Sequence, residues 1–334
     1  METNSFFVLA TGLFLYLLFT GVKSIGVCYG NDGDNLPAPN EVVGLYQSNN
    51  IRAMRVYYPD KGTLQALGGT NIAVIVDVGN SNLAYLASGE DAAKSWVNEY
   101  IVPFPNVAIR YIAVGNEVIP GNDAGFVLTA MQNIQNALNA ANLQNKIKVS
   151  TSVSTGVLGV SYPPSAGAFT DDARNYLQPI AAFLSRTGAP LLANVYPYFS
   201  YVGNPGQISI EYALFMSPGT VVNDGQLQYQ NLFDAIVDAV YSALEKVGAS
   251  GVSIVVSESG WPSDGGDAAA PQNAQTYVQN LIGHAGKGTP KRPGNIEVYI
   301  FAMFDEDKKQ PQGIENHFGL FYPNKQPKYN INFN

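Results

Sequence analysis

Glu117 and Glu258 are the residues of this chain whose type and setting best fit bond-breaking chemistry. Glu258 lies in Val252-Ser-Ile-Val-Val-Ser-Glu-Ser-Gly-Trp-Pro-Ser-Asp-Gly265, where a β-branched apolar run reads as a buried strand that Gly260 and Pro262 then stop. Glu117 occupies the same kind of position in Tyr111-Ile-Ala-Val-Gly-Asn-Glu-Val118. A charge at the tip of an apolar strand is costly to desolvate unless something there uses it. Two carboxylates flanking one linkage are what glycosidic bond cleavage requires. Trp261, three residues past Glu258, offers a flat face of the kind a sugar ring stacks on.

Each residue also has an ordinary reading. A single Glu at a strand end is more often a helix cap or half of a surface ion pair; it is the repeated setting of Glu117 and Glu258 that favours function. Asp77, in Ile-Val-Asp-Val-Gly, reads as a buried carboxylate bonded to backbone or an arginine. Tyr29, Tyr57, Tyr196, Tyr198, Phe199 and Trp261 fall at or just past strand ends. Singly each reads as core, but together on one barrel face they read as a sugar-lined groove.

Eight strands must position these groups: Ile25–Tyr29, Ala53–Tyr58, Ile72–Val78, Ile109–Gly115, Ile147–Val153, Leu191–Tyr196, Val252–Ser257 and Glu297–Met303. Helical patterns separate them. Phe233, Ile236, Val237, Val240, Tyr241, Leu244 and Val247 keep the i, i+3, i+4, i+7 spacing, as do Val127, Met131, Ile134 and Leu138. Such alternation fits a closed (β/α)8 TIM barrel or an open doubly wound sheet. The regular repeat, the lack of a glycine-rich phosphate turn after the first strand and polar residues after several strands favour the barrel, whose sites form at the C-terminal strand ends. Residues 198–231, rich in Gly, Pro and Tyr, read as a small insertion after strand 6, beside the cleft.

The chain has 334 residues, 46% hydrophobic and 13% charged, with net charge -8, so it builds a large core and repels nucleic acid and anionic membranes. The apolar run from Phe6 to Phe19 is too short to span a bilayer, and Val22 and Ser24 suit cleavage. Residues 1–24 are therefore expected to be a secretory signal, and 25–334 a single catalytic domain. Cys28, the one cysteine, reads as a small buried hydrophobe rather than a nucleophile. With two histidines, no HExxH, no G-x-S-x-G elbow and no P-loop, neither a metal nor any other cofactor is expected.

The stretch around Glu258 resembles the signature of plant endo-β-1,3-glucanases, glycoside hydrolase family 17. The likeness continues through Ile25-Gly-Val-Cys-Tyr-Gly30, Tyr111 to Glu117, Lys148-Val-Ser-Thr-Ser152, Ser161 to Phe169, Leu191 to Phe199, Phe301-Ala-Met-Phe-Asp-Glu306 and His317-Phe-Gly-Leu-Phe321. It implies Glu117 as acid/base and Glu258 as nucleophile. Asn116 would hold the sugar 2-OH, Glu306 and Lys309 would balance charge, and Tyr29, Tyr196 and Phe199 would line the cleft. The chain departs from the pattern at Asp34, Tyr58 and Asp307. A monomer is expected, and the resemblance further implies action on β-1,3-glucan (callose or a fungal wall glucan), in defence or wall remodelling. A chain ending at Asn334 with an acidic balance resembles the secreted, cell-wall group of the family. A β-1,3;1,4-glucanase of the same fold, or a catalytically silent glucan-binding barrel, stays open at this level.

Overall fold

The computed structural model describes residues 25–334. The expected signal segment, 1–24, lies outside the described residues. Eight parallel strands close a barrel: β1 (Ile25–Tyr29), β2 (Ala53–Val56), β3 (Ala73–Asp77), β4 (Ala108–Asn116), β5 (Lys148–Ser154), β6 (Leu191–Asn194), β7 (Ile254–Ser259) and β8 (Val298–Ile300). They pair in sequence order and β8 returns to β1, as in a (β/α)8 TIM barrel. All eight expected strands are present, with ends displaced by a few residues.

Two apolar layers follow from the alternation of side chains along each strand. One face fills the barrel with Cys28, Ala53, Ile75, Ala113, Leu192, Val255 and Tyr299. The opposite face, with Val27, Met54, Val74, Val76, Ile112 and Val149, packs under the helices. Val127, Met131, Ile134 and Leu138 of helix Ala124–Ala140 are fully buried in that outer layer. Helix Leu232–Lys246 is started by Asn231, whose Oδ1 accepts the Asp234 N–H at 2.8 Å. Cys28 is a free, buried thiol that donates weakly to the Ser257 carbonyl. Burial first, and the nearby Glu258 charge second, push that thiol well up, as its reading as inert core requires.

Two irregularities in the barrel decide where the glutamates point. Along β7, Val256 pairs with Ala193 but Glu258 pairs with Asn194, so one extra residue is inserted between them. Along β4, Ala113 pairs with Ser150 and Asn116 with Ser152, again with one residue too many. Such bulges re-aim the side chains that follow them. Strict alternation from Val255 would send Glu258 outward with Val256; the bulge turns it over the barrel mouth. Past the other bulge, Glu117 adopts a left-handed backbone (φ 57°), a conformation that costs a non-glycine residue about 1 kcal/mol.

Residues 198–231 hold most of a short helix (Pro197–Gly203), a single helical turn (Ile210–Ala213) and a hairpin (Val222–Asp224 with Leu227–Tyr229). Among the described residues, no helix is long and apolar enough to cross a membrane.

Candidate active site

A cleft of about 490 Å³ opens at the C-terminal strand ends and is lined by Glu117, Glu258, Asn116, Asn194, Tyr57, Tyr196, Phe199, Glu306 and Lys309, among others. Its floor is a buried polar layer. Arg55, on β2, is fully buried and donates on every side: to Asp77 through Nε (3.1 Å) and Nη2 (2.7 Å), through Nη2 to Asn116 Oδ1 (2.9 Å), and through Nη1 to Glu258 Oε1 (2.8 Å), Asn194 Oδ1 (3.1 Å) and the Ser257 carbonyl (3.3 Å). A buried guanidinium is tolerable because its fork meets planar acceptors on several sides. Burial pulls its pKa down, but Asp77, Tyr57 and Glu258 together outweigh that and hold it charged. Asp77 is thus the structural partner its sequence setting suggested. Burial pushes its carboxyl up, against the opposing pull of Arg55.

Glu258 is held by three donors. Arg55 Nη1 and the Tyr57 hydroxyl both reach Oε1 at 2.8 Å, and the Tyr196 hydroxyl reaches Oε2 at 2.6 Å. Glu117 has a different environment. Its Oε1 accepts from Asn194 Nδ2 at 2.8 Å, and the residue stays solvent-accessible on its cleft side. Packing still withdraws enough water to push its carboxyl up, and the negative charge of Glu258 adds to the shift. Asn194 ties the two together: its Oδ1 receives Arg55, Ser152 and Ser257 while its Nδ2 reaches both Glu117 and Asn116.

Glu306 and Lys309 form an ion pair on the opposite wall, with Lys309 Nζ also 4.5 Å from the centre of the Phe301 ring. Burial pushes Glu306 up despite that partner. Burial opposes the charge of Lys309, but Glu306 overcomes it and the ammonium is held charged. Gly30 makes room for this pair: a Cβ there would fall on Glu306 Oε1.

The aromatic residues divide into two groups. Tyr57, Tyr196 and Phe199 line the cleft, Phe199 with 41% of its surface exposed. Tyr29, Tyr198 and Trp261 do not. Tyr29 follows the inward-facing Cys28, so it points outward and packs edge-on to Phe304. Trp261 is 1% exposed, its indole N–H donating to the Ala268 carbonyl. Tyr198 packs edge-on to Trp261, with its hydroxyl on the Asp267 carbonyl. The flat indole face that suggested sugar stacking therefore belongs to the core beneath the loop. Arg55 and Asn194 were not singled out in the sequence, although a charge inside Ala53-Met-Arg-Val56 carries the same signal as Glu258: a polar residue that an apolar strand would not hold without use.

Known proteins resemble this chain over nearly the whole of its described length. Residues 25–333 match the profile of Glycosyl hydrolases family 17. A Zea mays protein named glucan endo-1,3-beta-glucosidase, acidic isoform, is 59% identical over 94% of this chain and 92% of its own length. A Nicotiana tabacum relative, named the basic vacuolar isoform GLB of glucan endo-1,3-beta-glucosidase, is 56% identical over 94% of this chain and 86% of its own. Among solved structures, one of two plant beta-glucan endohydrolases described as having distinct substrate specificities superposes with a TM-score of 0.90. It is 53% identical and covers 92% of this chain and 100% of its own. The Cryptomeria japonica pollen beta-1,3-glucanase and allergen CJP38 also reaches 0.90, at 50% identity over 93% and 99%.

Proposed function

The chain belongs to glycoside hydrolase family 17, and from that premise we propose how its cleft cuts the interior β-1,3 linkages of a glucan with retention of configuration. It is an endo-1,3-β-glucanase, as its relatives are named. Glu117 is the acid/base and Glu258 the nucleophile. The observation that carries this assignment is the contrast between the two: a carboxyl pushed up, bonded to a single amide, sharing a cleft with a carboxylate gripped by a guanidinium and two phenols.

In the first step neutral Glu117 gives its proton to the glycosidic oxygen while Glu258 attacks the anomeric carbon from the opposite face. The C–O bond to the leaving glucan breaks and an ester bond to Glu258 forms. Glu117, now ionised, takes a proton from water, which attacks the same carbon and returns Glu258 as carboxylate. Retention of this kind calls for carboxyl groups roughly 5–5.5 Å apart. In this reading Asn116, which Arg55 and Asn194 hold through its Oδ1, meets the 2-hydroxyl of the sugar under attack. Arg55 and the two tyrosines position Glu258, and Glu306 with Lys309 sets the charge of the facing wall.

A mixed-linkage β-1,3;1,4-glucanase and a silent glucan-binding barrel are not favoured. Relatives across the whole barrel are named for the 1,3 linkage, and a silent barrel would not keep both carboxylates in one cleft. Comparing rates on laminarin and on mixed-linkage cereal glucan tests the linkage. Faster release of reducing ends from laminarin supports the reading, and preference for the cereal glucan overturns it.

We further infer that residues 1–24 direct a monomeric enzyme of one catalytic domain, 25–334, to the apoplast or cell wall, where its substrate is callose or fungal wall glucan. Relatives named vacuolar make this testable by tracking the tagged full chain in plant cells. Accumulation in the vacuole would contradict it.

A further inference from the structure

Tyr58 stands on the rim of the same cleft with 47% of its surface exposed, and it has no hydrogen bond to either glutamate. Its neighbour Tyr57 dips to Glu258; Tyr58 instead meets Asn31, whose Nδ2 donates to the tyrosine hydroxyl at 2.5 Å. That bond joins the loop after β2 to the loop after β1. The second loop is fastened in turn to the one after β8. The Asp34 N–H donates to Asp307 Oδ1 at 2.6 Å, the Lys308 N–H donates to the Asp32 carbonyl at 2.8 Å, and Lys308 Nζ lies 3.4 Å from Asp34 Oδ1. Asp34, Tyr58 and Asp307, scattered in sequence, therefore meet on one rim.

An exposed tyrosine ordinarily samples several rotamers and loses that freedom on binding. Here the ordering is built in before any ligand arrives. Having accepted from Asn31, the hydroxyl still has its own proton to donate. A pinned ring with an apolar face and a spare O–H at its edge matches a pyranose, which offers C–H bonds on its faces and hydroxyls around its perimeter. Resting on the hydrolase reading above, we propose that Tyr58, held by Asn31, forms a glucose-binding subsite at the β1–β2 rim. It lies away from the scissile bond and selects which linkage of a short β-1,3-glucan is placed over Glu258.

The test is cleavage of an end-labelled β-1,3-linked hexasaccharide by the wild type and by Tyr58→Ala, Tyr58→Phe and Asn31→Ala, reading both the bond cut and the kcat and KM values. Tyr58→Ala is expected to move the preferred cut by at least one linkage and to raise KM about tenfold, the scale of one aromatic contact, with kcat within about twofold. Tyr58→Phe keeps the ring and most of the affinity; Asn31→Ala falls between. An unchanged cut pattern and KM in Tyr58→Ala overturns the subsite. So does a large loss of kcat with KM unchanged, which would place Tyr58 in the chemistry. A wild type that leaves the hexasaccharide intact sinks the hydrolase reading itself, whereas a wild type that cuts it as Tyr58→Ala does sinks only this inference.

Discussion

Asn194 donates from Nδ2 to Glu117 Oε1 across 2.8 Å, while its Oδ1 receives the guanidinium that holds Glu258. The bond favours the ionised form of Glu117 and so works against the burial and the Glu258 charge that push this carboxyl up. Replacing Asn194 with Ala removes the larger of the two opposing influences, the other being the Arg55 charge, and the pKa of Glu117 rises further. In the proposed role as acid, Glu117 must be protonated for the first step, so activity is lost as pH climbs through that pKa. The basic limb of kcat/KM on soluble glucan is therefore expected to move to higher pH in Asn194→Ala, with kcat down about tenfold or more from lost positioning. A limb that stays in place or moves down contradicts this account.

Tyr57 and Tyr196 each place one hydroxyl on Glu258. A hydrogen bond to a charged group is worth about 1.5–3 kcal/mol, so Tyr57→Phe and Tyr196→Phe are each expected to lower kcat by roughly 10–100-fold. Both act on one carboxylate, and the double variant should fall short of the product of the two effects. Kinetics on laminarin with matched thermal melts decide it; equal losses of Tm and rate would make the tyrosines structural.

Arg55 is the counter-ion of two buried carboxylates, Asp77 and Glu258. Arg55→Met leaves both without it and is expected to cost about 3–5 kcal/mol in urea unfolding. Arg55→Lys is not a mild change, because one ammonium lacks the fork that reaches Asp77, Asn116, Asn194 and Glu258 together. Stability within 1 kcal/mol of wild type in either variant would argue against the clamp.

Trp261 is core, so its loss should be felt in stability and not in binding. Trp261→Ala is expected to cost about 3–5 kcal/mol, and Trp261→Phe less, with KM for laminarin unchanged in the folded fraction. A raised KM at unchanged stability would return Trp261 to the cleft.

Particular residues show how far the sequence could be read. The eight strands were legible because each is an apolar, β-branched run bounded by breakers, and Glu117 and Glu258 because each breaks such a run. The same signal marks Arg55 and Asn194, whose importance appears only when four strands are brought together. The aromatic set was only half legible. Period-two alternation would have turned Tyr29 away from the barrel interior, since Cys28 beside it faces in. Past the strand ends that rule stops, so Tyr196 and Trp261 look alike in sequence and lie on opposite sides of the cleft wall. The bulges that aim the two glutamates leave no mark in composition or periodicity: an extra residue in a strand is defined by its partner, here Asn194 opposite Glu258 and Ser152 opposite Asn116.

The central claim, that Glu258 attacks the sugar while Glu117 supplies and removes the proton, is tested most directly by Glu258→Ala assayed on an aryl β-1,3-linked glucobioside with and without azide. The account predicts no turnover in buffer and, with azide, restored release of the phenol together with a glycosyl azide of α configuration, because azide then attacks from the side that Glu258 has vacated. Turnover near wild type without azide, or a β-configured azide, would contradict it.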